Sequence, residues 1–248
     1  MRKDCGLLTI DIKPYRFMLV WIVLVVSAGV IISSYLPNML AADFRGTDAP
    51  LLAVMTELLS RRSFFLLCTA VMPLVSSDTV FHEYSSGFIL FICQRVSKRE
   101  YCRMRIQSLT LSSGCTSLAV GAGVLIGIIC ILKKAGVTLV SGDWKTVIIL
   151  LQVLLVMFFA GAVFSLIGVA ASLAFHSRLT AITFPFVFFY VTAFFQEHYY
   201  SKLTGLNFRY VIFPHMLSVW VCLLLDVGLT FMMAAITRII ILYRLRDL

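Results

Sequence analysis

Charge is scarce in this chain: Asp, Glu, Lys and Arg make up 13% of its 248 residues, where soluble domains carry about 25%. Apolar residues reach 60%, against about 45–50% in soluble domains, and the mean hydropathy is +0.98. That balance excludes an ordinary soluble globule and places the chain in a membrane. Each bilayer crossing uses about 20 residues, so at most one compact helical bundle fits, with little left over for a soluble enzyme domain. The seven cysteines (Cys5, Cys68, Cys93, Cys102, Cys115, Cys130 and Cys222) contain no C-x-x-C pair. They read as small buried hydrophobes rather than as a disulfide or metal framework.

Catalytic and nucleotide motifs are equally missing. No G-x-x-x-x-G-K-[ST] loop occurs, so ATP is not bound by that route. His82-Glu83 opens like H-E-x-x-H, but Ser86 stands where the second zinc ligand would be. Gly121-Ala122-Gly123 lies inside an apolar run with no preceding strand, which excludes a dinucleotide loop. No Ser or Cys has a base arrayed with it, and His82, His176, His198 and His215 all fall near the ends of apolar runs. Catalysis, a metal and a nucleic-acid partner therefore have no support.

What is present is a series of apolar stretches. Spans are expected at about 17–36, 63–80 and 109–132, within 146–175, at about 179–195 and within 213–242. Thirteen of the 21 basic residues flank the odd-numbered entries and even-numbered exits of these spans, on the side that holds both termini. Positively charged loops are retained inside, so both termini are expected in the cytoplasm. The first span has an apolar core longer than that of a signal peptide, which favours an uncleaved anchor; Leu40-Ala41-Ala42 keeps cleavage open.

The expected fold is thus all-α: one integral-membrane domain over residues 1–248, a bundle of six transmembrane helices. Residues 1–16 form an interfacial leader on the cytoplasmic surface, ended or kinked by Pro14, and 78–105 form a cytoplasmic segment. Segments 50–62 and 196–212 lie outside, the first as a short interfacial helix and the second with the aromatic composition of a headgroup belt. The fourth and sixth apolar stretches, at about 45 Å of helix each, exceed a ~30 Å hydrocarbon core and have to tilt, kink or project.

Within the spans, Gly123 and Gly127 form G-x-x-x-G, and Gly161, Ser165, Gly168 and Ser172 stripe the fourth span with small residues. Both patterns allow close helix approach, either within the chain or against a second copy. Asp226 is the only acid in the middle of an apolar span. An ionised carboxylate there costs about 2.5–3.5 kcal/mol on insertion scales, so it should face protein or water. A structural bond, a place on a transport path and a proton-coupling role all remain open for it.

The most informative stretch is residues 78–105, DTVFHEYSSGFILFICQRVSKREYCRMR. Asp78 can cap a helix, and Phe81, Tyr84, Phe88 and Ile92 recur at three- and four-residue spacing, giving one apolar face backed by His82, Glu83, Ser85 and Ser86. A short amphipathic helix held between two spans suits a partner's groove, or alternatively a surface of anionic headgroups.

Here the sequence resembles the type-2 ATP-binding-cassette (ABC) exporter permease family, in particular the small permeases of Gram-positive bacteria. The residues that carry the resemblance are Glu83, Tyr84, Ser86, Gly87, Phe88, Arg95, Lys98, Arg99 and Tyr101; six spans, an N-terminal surface helix and Pro185 and Pro214 add to it more weakly. The resemblance implies a permease subunit in a bacterial plasma membrane, with a coupling helix around residues 78–91 docked on a separate ATPase. Two permeases, identical or related, would pair and be driven by two copies of the ATPase. Glu83 and, less surely, Arg95 would contact that ATPase, and the turn from His176 to Arg178 would make a second contact. ATP and Mg would be bound by the ATPase and no cofactor by this chain. The cargo implied is an amphipathic or hydrophobic compound such as a peptide, antibiotic or lipid. An ion-coupled transporter or channel using Asp226, and a non-transporting anchor or sensor for an ATPase, are the competing readings.

Overall fold

The computed structural model describes Pro73, Ser77 and residues 79–134, 144–199 and 219–246. Every regular element among them is helical: α1 Thr79–Ser85, α2 Phe88–Arg95, α3 Lys98–Lys134, α4 Trp144–Phe175, α5 Thr180–His198 and α6 Val219–Arg246. Three carry stretches long and apolar enough to cross a membrane, at Lys98–Cys130, Leu150–Phe175 and Trp220–Arg246. These coincide with the third, fourth and sixth expected spans. The fifth expected span corresponds to α5, of 19 residues. The leader, the first span, the outer segments at 50–62 and 200–212, Asp78 and nearly all of the second span lie outside the described residues.

α4 is the central post. Every side chain from Ala160 to Leu173 is buried, as befits a helix that is apolar all round. α3 packs against it in the opposite direction: Ser117 Oγ donates to the Met157 carbonyl at 2.6 Å, and Gly161 lies opposite Ser113 and Ser117. α6 runs parallel to α4, since Thr237 Oγ1 reaches the Leu166 carbonyl and, seven residues on in both helices, Arg244 Nε reaches that of Leu173.

Small residues make these approaches possible. A Cβ on Gly161 would stand 2.6 Å from Ser117 Cβ and 2.9 Å from the Ser113 carbonyl oxygen. One on Gly168 would collide with the Ala181 carbonyl oxygen and stand 3.0 Å from Ser77 Cβ. Ser165 and Ser172 are buried on the same helix. On α3 the residues in close contact are Ser113, Gly114, Ser117 and Gly121 rather than the G-x-x-x-G pair: Gly123 is exposed with nothing within 4 Å of an added Cβ, and Gly127 is half-buried.

The segment after Ser77 departs from a single amphipathic helix. Gly87 adopts φ 71°, a left-handed conformation that glycine accepts without steric cost, and the chain breaks into α1 and α2. The break resets the helical phase. Ile89 and Ile92 are buried while Phe88, expected on the apolar face, is 55% exposed; Phe81 and Tyr84 are half-buried. α2 ends at Val96 in extended conformation, and α3 starts at once with Ser97 as its cap: Ser97 Oγ accepts the Glu100 amide at 3.3 Å.

Candidate functional site

The α1–α2 hairpin sits at the end of the bundle where α3 begins and where α4 and α6 finish. An apolar cluster binds them together. Val80 from α1, Ile89 and Ile92 from α2, Tyr101, Cys102 and Leu109 from α3, Val169 and Leu173 from α4, and Ile241 and Leu245 from α6 are all buried in it. At about 1.5–3 kcal/mol per fully buried side chain, this cluster is a large share of what holds the hairpin in place.

Polar bonds ring the cluster. Glu83 Oε2 accepts from the Tyr101 hydroxyl at 2.6 Å and from Arg105 Nε at 3.0 Å, and Arg105 Nη2 pairs with Oε1. The two charged side chains are only 12% and 13% exposed. The polar face expected of His82, Glu83, Ser85 and Ser86 is therefore divided: His82, Ser85 and Ser86 are exposed, and Glu83 turns inward to α3. Lys98 Nζ donates to the Leu245 carbonyl, and Cys102 Sγ approaches the Arg238 carbonyl at 3.7 Å, fastening α3 to α6.

The same end holds the turn expected as a second contact. α4 terminates at His176, which has φ 51°, and the Ser177 amide donates back to the Ser172 carbonyl at 3.3 Å, a left-handed helix ending usually served by glycine. Arg244 of α6 completes the cap: Nε donates to the Leu173 carbonyl and Nη2 to that of Ala174, at 3.2 Å each, and the same Nη2 lies 3.2 Å from His176 Nδ1. Its positive charge also suits the negative end of the helix dipole. The His176 ring meets Tyr84 edge-on at 6.3 Å, so α1, the α4–α5 turn and α6 converge.

Outward from this joint faces an apolar and basic surface. Phe88, Leu90 and Phe91 are exposed on α2, Phe91 to 65%, with Leu179 exposed on the turn. Arg95, Lys98, Arg99, Arg103 and Arg178 are also exposed. The structure thus brings Phe81, Glu83, Tyr84, Gly87, Phe88, Arg95, His176 and Arg178 to one end of the bundle, some as anchors and some on the surface. Arg244 and Arg105 were not singled out from sequence. The Ser97-x-x-Glu100 pattern, a capping box, was the available sign that α3 begins at Lys98.

Asp226 lies apart from this end, within the apolar stretch of α6. Its residue is fully buried, and neither carboxylate oxygen has a hydrogen-bond partner among the described residues. Among the described residues no group of three His, Cys, Asp or Glu side chains is placed to hold a metal.

No family model matches the sequence, no curated protein matches it and no solved structure matches the fold.

Proposed function

We propose that this chain is the permease subunit of an ATP-driven exporter, with the α1–α2 hairpin as the element docked on a separate cytoplasmic ATPase. The observation that carries this reading is the hairpin itself: an outward-facing apolar patch with a basic rim, braced through a buried cluster against three long helices. A brace of that kind suits transfer of displacement, which needs a fitted contact and a stiff lever rather than a catalytic group. The resemblance around Glu83, Tyr84, Ser86, Gly87 and Phe88 supports the same assignment, as does the gathering of basic residues at that end, the side retained in the cytoplasm.

The finer statements belong to this proposal. Six spans place both termini in the cytoplasm of a bacterial cell, two permeases pair to enclose the path, and two ATPases bind ATP and Mg below them. Peptide, antibiotic or lipid cargo suits a path with few charges. The ATPase contacts are Phe88, Phe91 and Arg95 of the hairpin, with Arg178 as the second site.

The test is purification of the tagged chain from its own membranes, followed by transport in inverted vesicles. A cassette-type ATPase is expected to co-purify, and cargo accumulation is expected to need ATP hydrolysis and to survive collapse of the proton gradient. Accumulation driven by the gradient alone would sink the proposal. The anchor or sensor reading predicts co-purification without any transport.

Asp226 gives the ion-coupled reading its one specific observation, a buried carboxylate without a partner among the described residues. A mid-span acid is a functional candidate by default. Under the permease reading, Asp226→Asn keeps ATP-dependent transport within about twofold of wild type, a change below about 0.5 kcal/mol. Abolished transport with normal insertion would favour the ion-coupled alternative.

A further inference from the structure

We infer that Glu83 is an internal tether, holding the α1–α2 hairpin to α3, and that it is a positioning residue rather than a contact for the partner. Its carboxylate is already engaged by three donors on α3: the Tyr101 hydroxyl at 2.6 Å, Arg105 Nε at 3.0 Å and Arg105 Nη2. A planar guanidinium holding both oxygens of a carboxylate is the geometry in which such pairs are strongest and most directional. Tyr101 is fully buried, and the charged pair is nearly so. A partner protein approaching from solvent would have to displace these donors and leave the Arg105 charge buried without its counter-ion, which is costly.

The placement gives the pair its mechanical meaning. Glu83 stands four residues before the left-handed Gly87, where the hairpin folds, and Arg105 stands two turns into α3, the helix that continues through a candidate span. Without the pair, α1 loses its charged, two-point link to α3, and the apolar contacts of the cluster resist sliding poorly because they have no direction. With it, α1 and the first turns of α3 move as one piece. The tether stands on this chain's own geometry; its use in carrying an ATPase-driven displacement into α3 rests on the permease reading above.

Backbone hydrogen exchange on the purified full chain in lipid nanodiscs tests the tether without any partner. Glu83→Gln and Arg105→Gln are each expected to speed exchange across residues 79–95 on the order of 100-fold, the equivalent of about 3 kcal/mol for breaking one side of a buried pair, with α4 unchanged. The charge swap that joins Glu83→Arg with Arg105→Glu is expected to recover most of that loss. Rescue by a swap confined to this chain cannot occur if the partner of Glu83 belongs to a different protein such as an ATPase. Unchanged exchange in the single variants, equal acceleration in α4, or a swap no better than the singles would each overturn the tether. Should the swap rescue exchange while no ATPase ever co-purifies, the tether holds and the permease reading fails.

Discussion

Gly168→Ala is expected to destabilise the bundle severely, although alanine is favoured over glycine in a helix interior by about 1 kcal/mol. The new methyl group would press on the Ala181 carbonyl oxygen, a backbone atom that no side-chain rotation can move, and on Ser77. Relief requires α5 to shift away from α4 and carries Ala181, itself fully buried, out of its packing. Overpacking of this kind typically costs about 1–3 kcal/mol and more with a larger side chain, so Gly168→Val should leave little folded protein. Thermal unfolding in detergent and the monodispersity of the purified chain measure the effect. Gly123→Ala is the control. With nothing within 4 Å of its added carbon, it should hold or gain stability, and a Gly168→Ala chain as stable as that control would refute the account.

The second large effect is expected at the outward face of the hairpin. Under the permease proposal, replacing Phe88 and Phe91 together by Asp should abolish association with the proposed ATPase while leaving the fold intact, because both rings are largely exposed. Anchors at the centre of an interface are worth about 2 kcal/mol or more each, so losing two corresponds to on the order of 1,000-fold in affinity. Co-purification at graded salt measures it, with hydrogen exchange of α4 as the check on folding. Retained association would move the docking surface elsewhere. Retained association with a loss confined to anionic vesicles would identify the face as a lipid contact instead.

Much of the helical architecture could be read from hydropathy, because a long apolar run has few other places to go. The expected fourth and sixth stretches overlap α4 and α6 closely, and the expected third span lies inside α3, which begins about eleven residues earlier, at Lys98. What escaped was decided by single residues or by distant ones. The Phe81, Tyr84, Phe88 and Ile92 spacing looks continuous, and only the Ser86-Gly87 pair hinted that a turn would interrupt it. Periodicity cannot register such a break, since it counts positions and not backbone angles. The Glu83–Arg105 and Arg244–Leu173 bonds join residues 22 and 71 apart, with no local pattern to announce either. Asp226 shows the opposite case: a lone acid in an apolar run is conspicuous, and its burial agrees with the cost of facing lipid, but nothing local says what it does.

The cap that Arg244 supplies to α4 also sets an order of events during synthesis. The carbonyls of Leu173 and Ala174 are made about seventy residues before the guanidinium that satisfies them. At about 5–20 residues per second, the end of α4 waits roughly 4–14 s for its cap, and the hairpin, made more than 150 residues before Leu245, waits about twice as long. The basic end of the bundle is therefore completed only once Arg244 and Leu245 have been made, and a chain halted before them would carry its helices without the clasp that joins them.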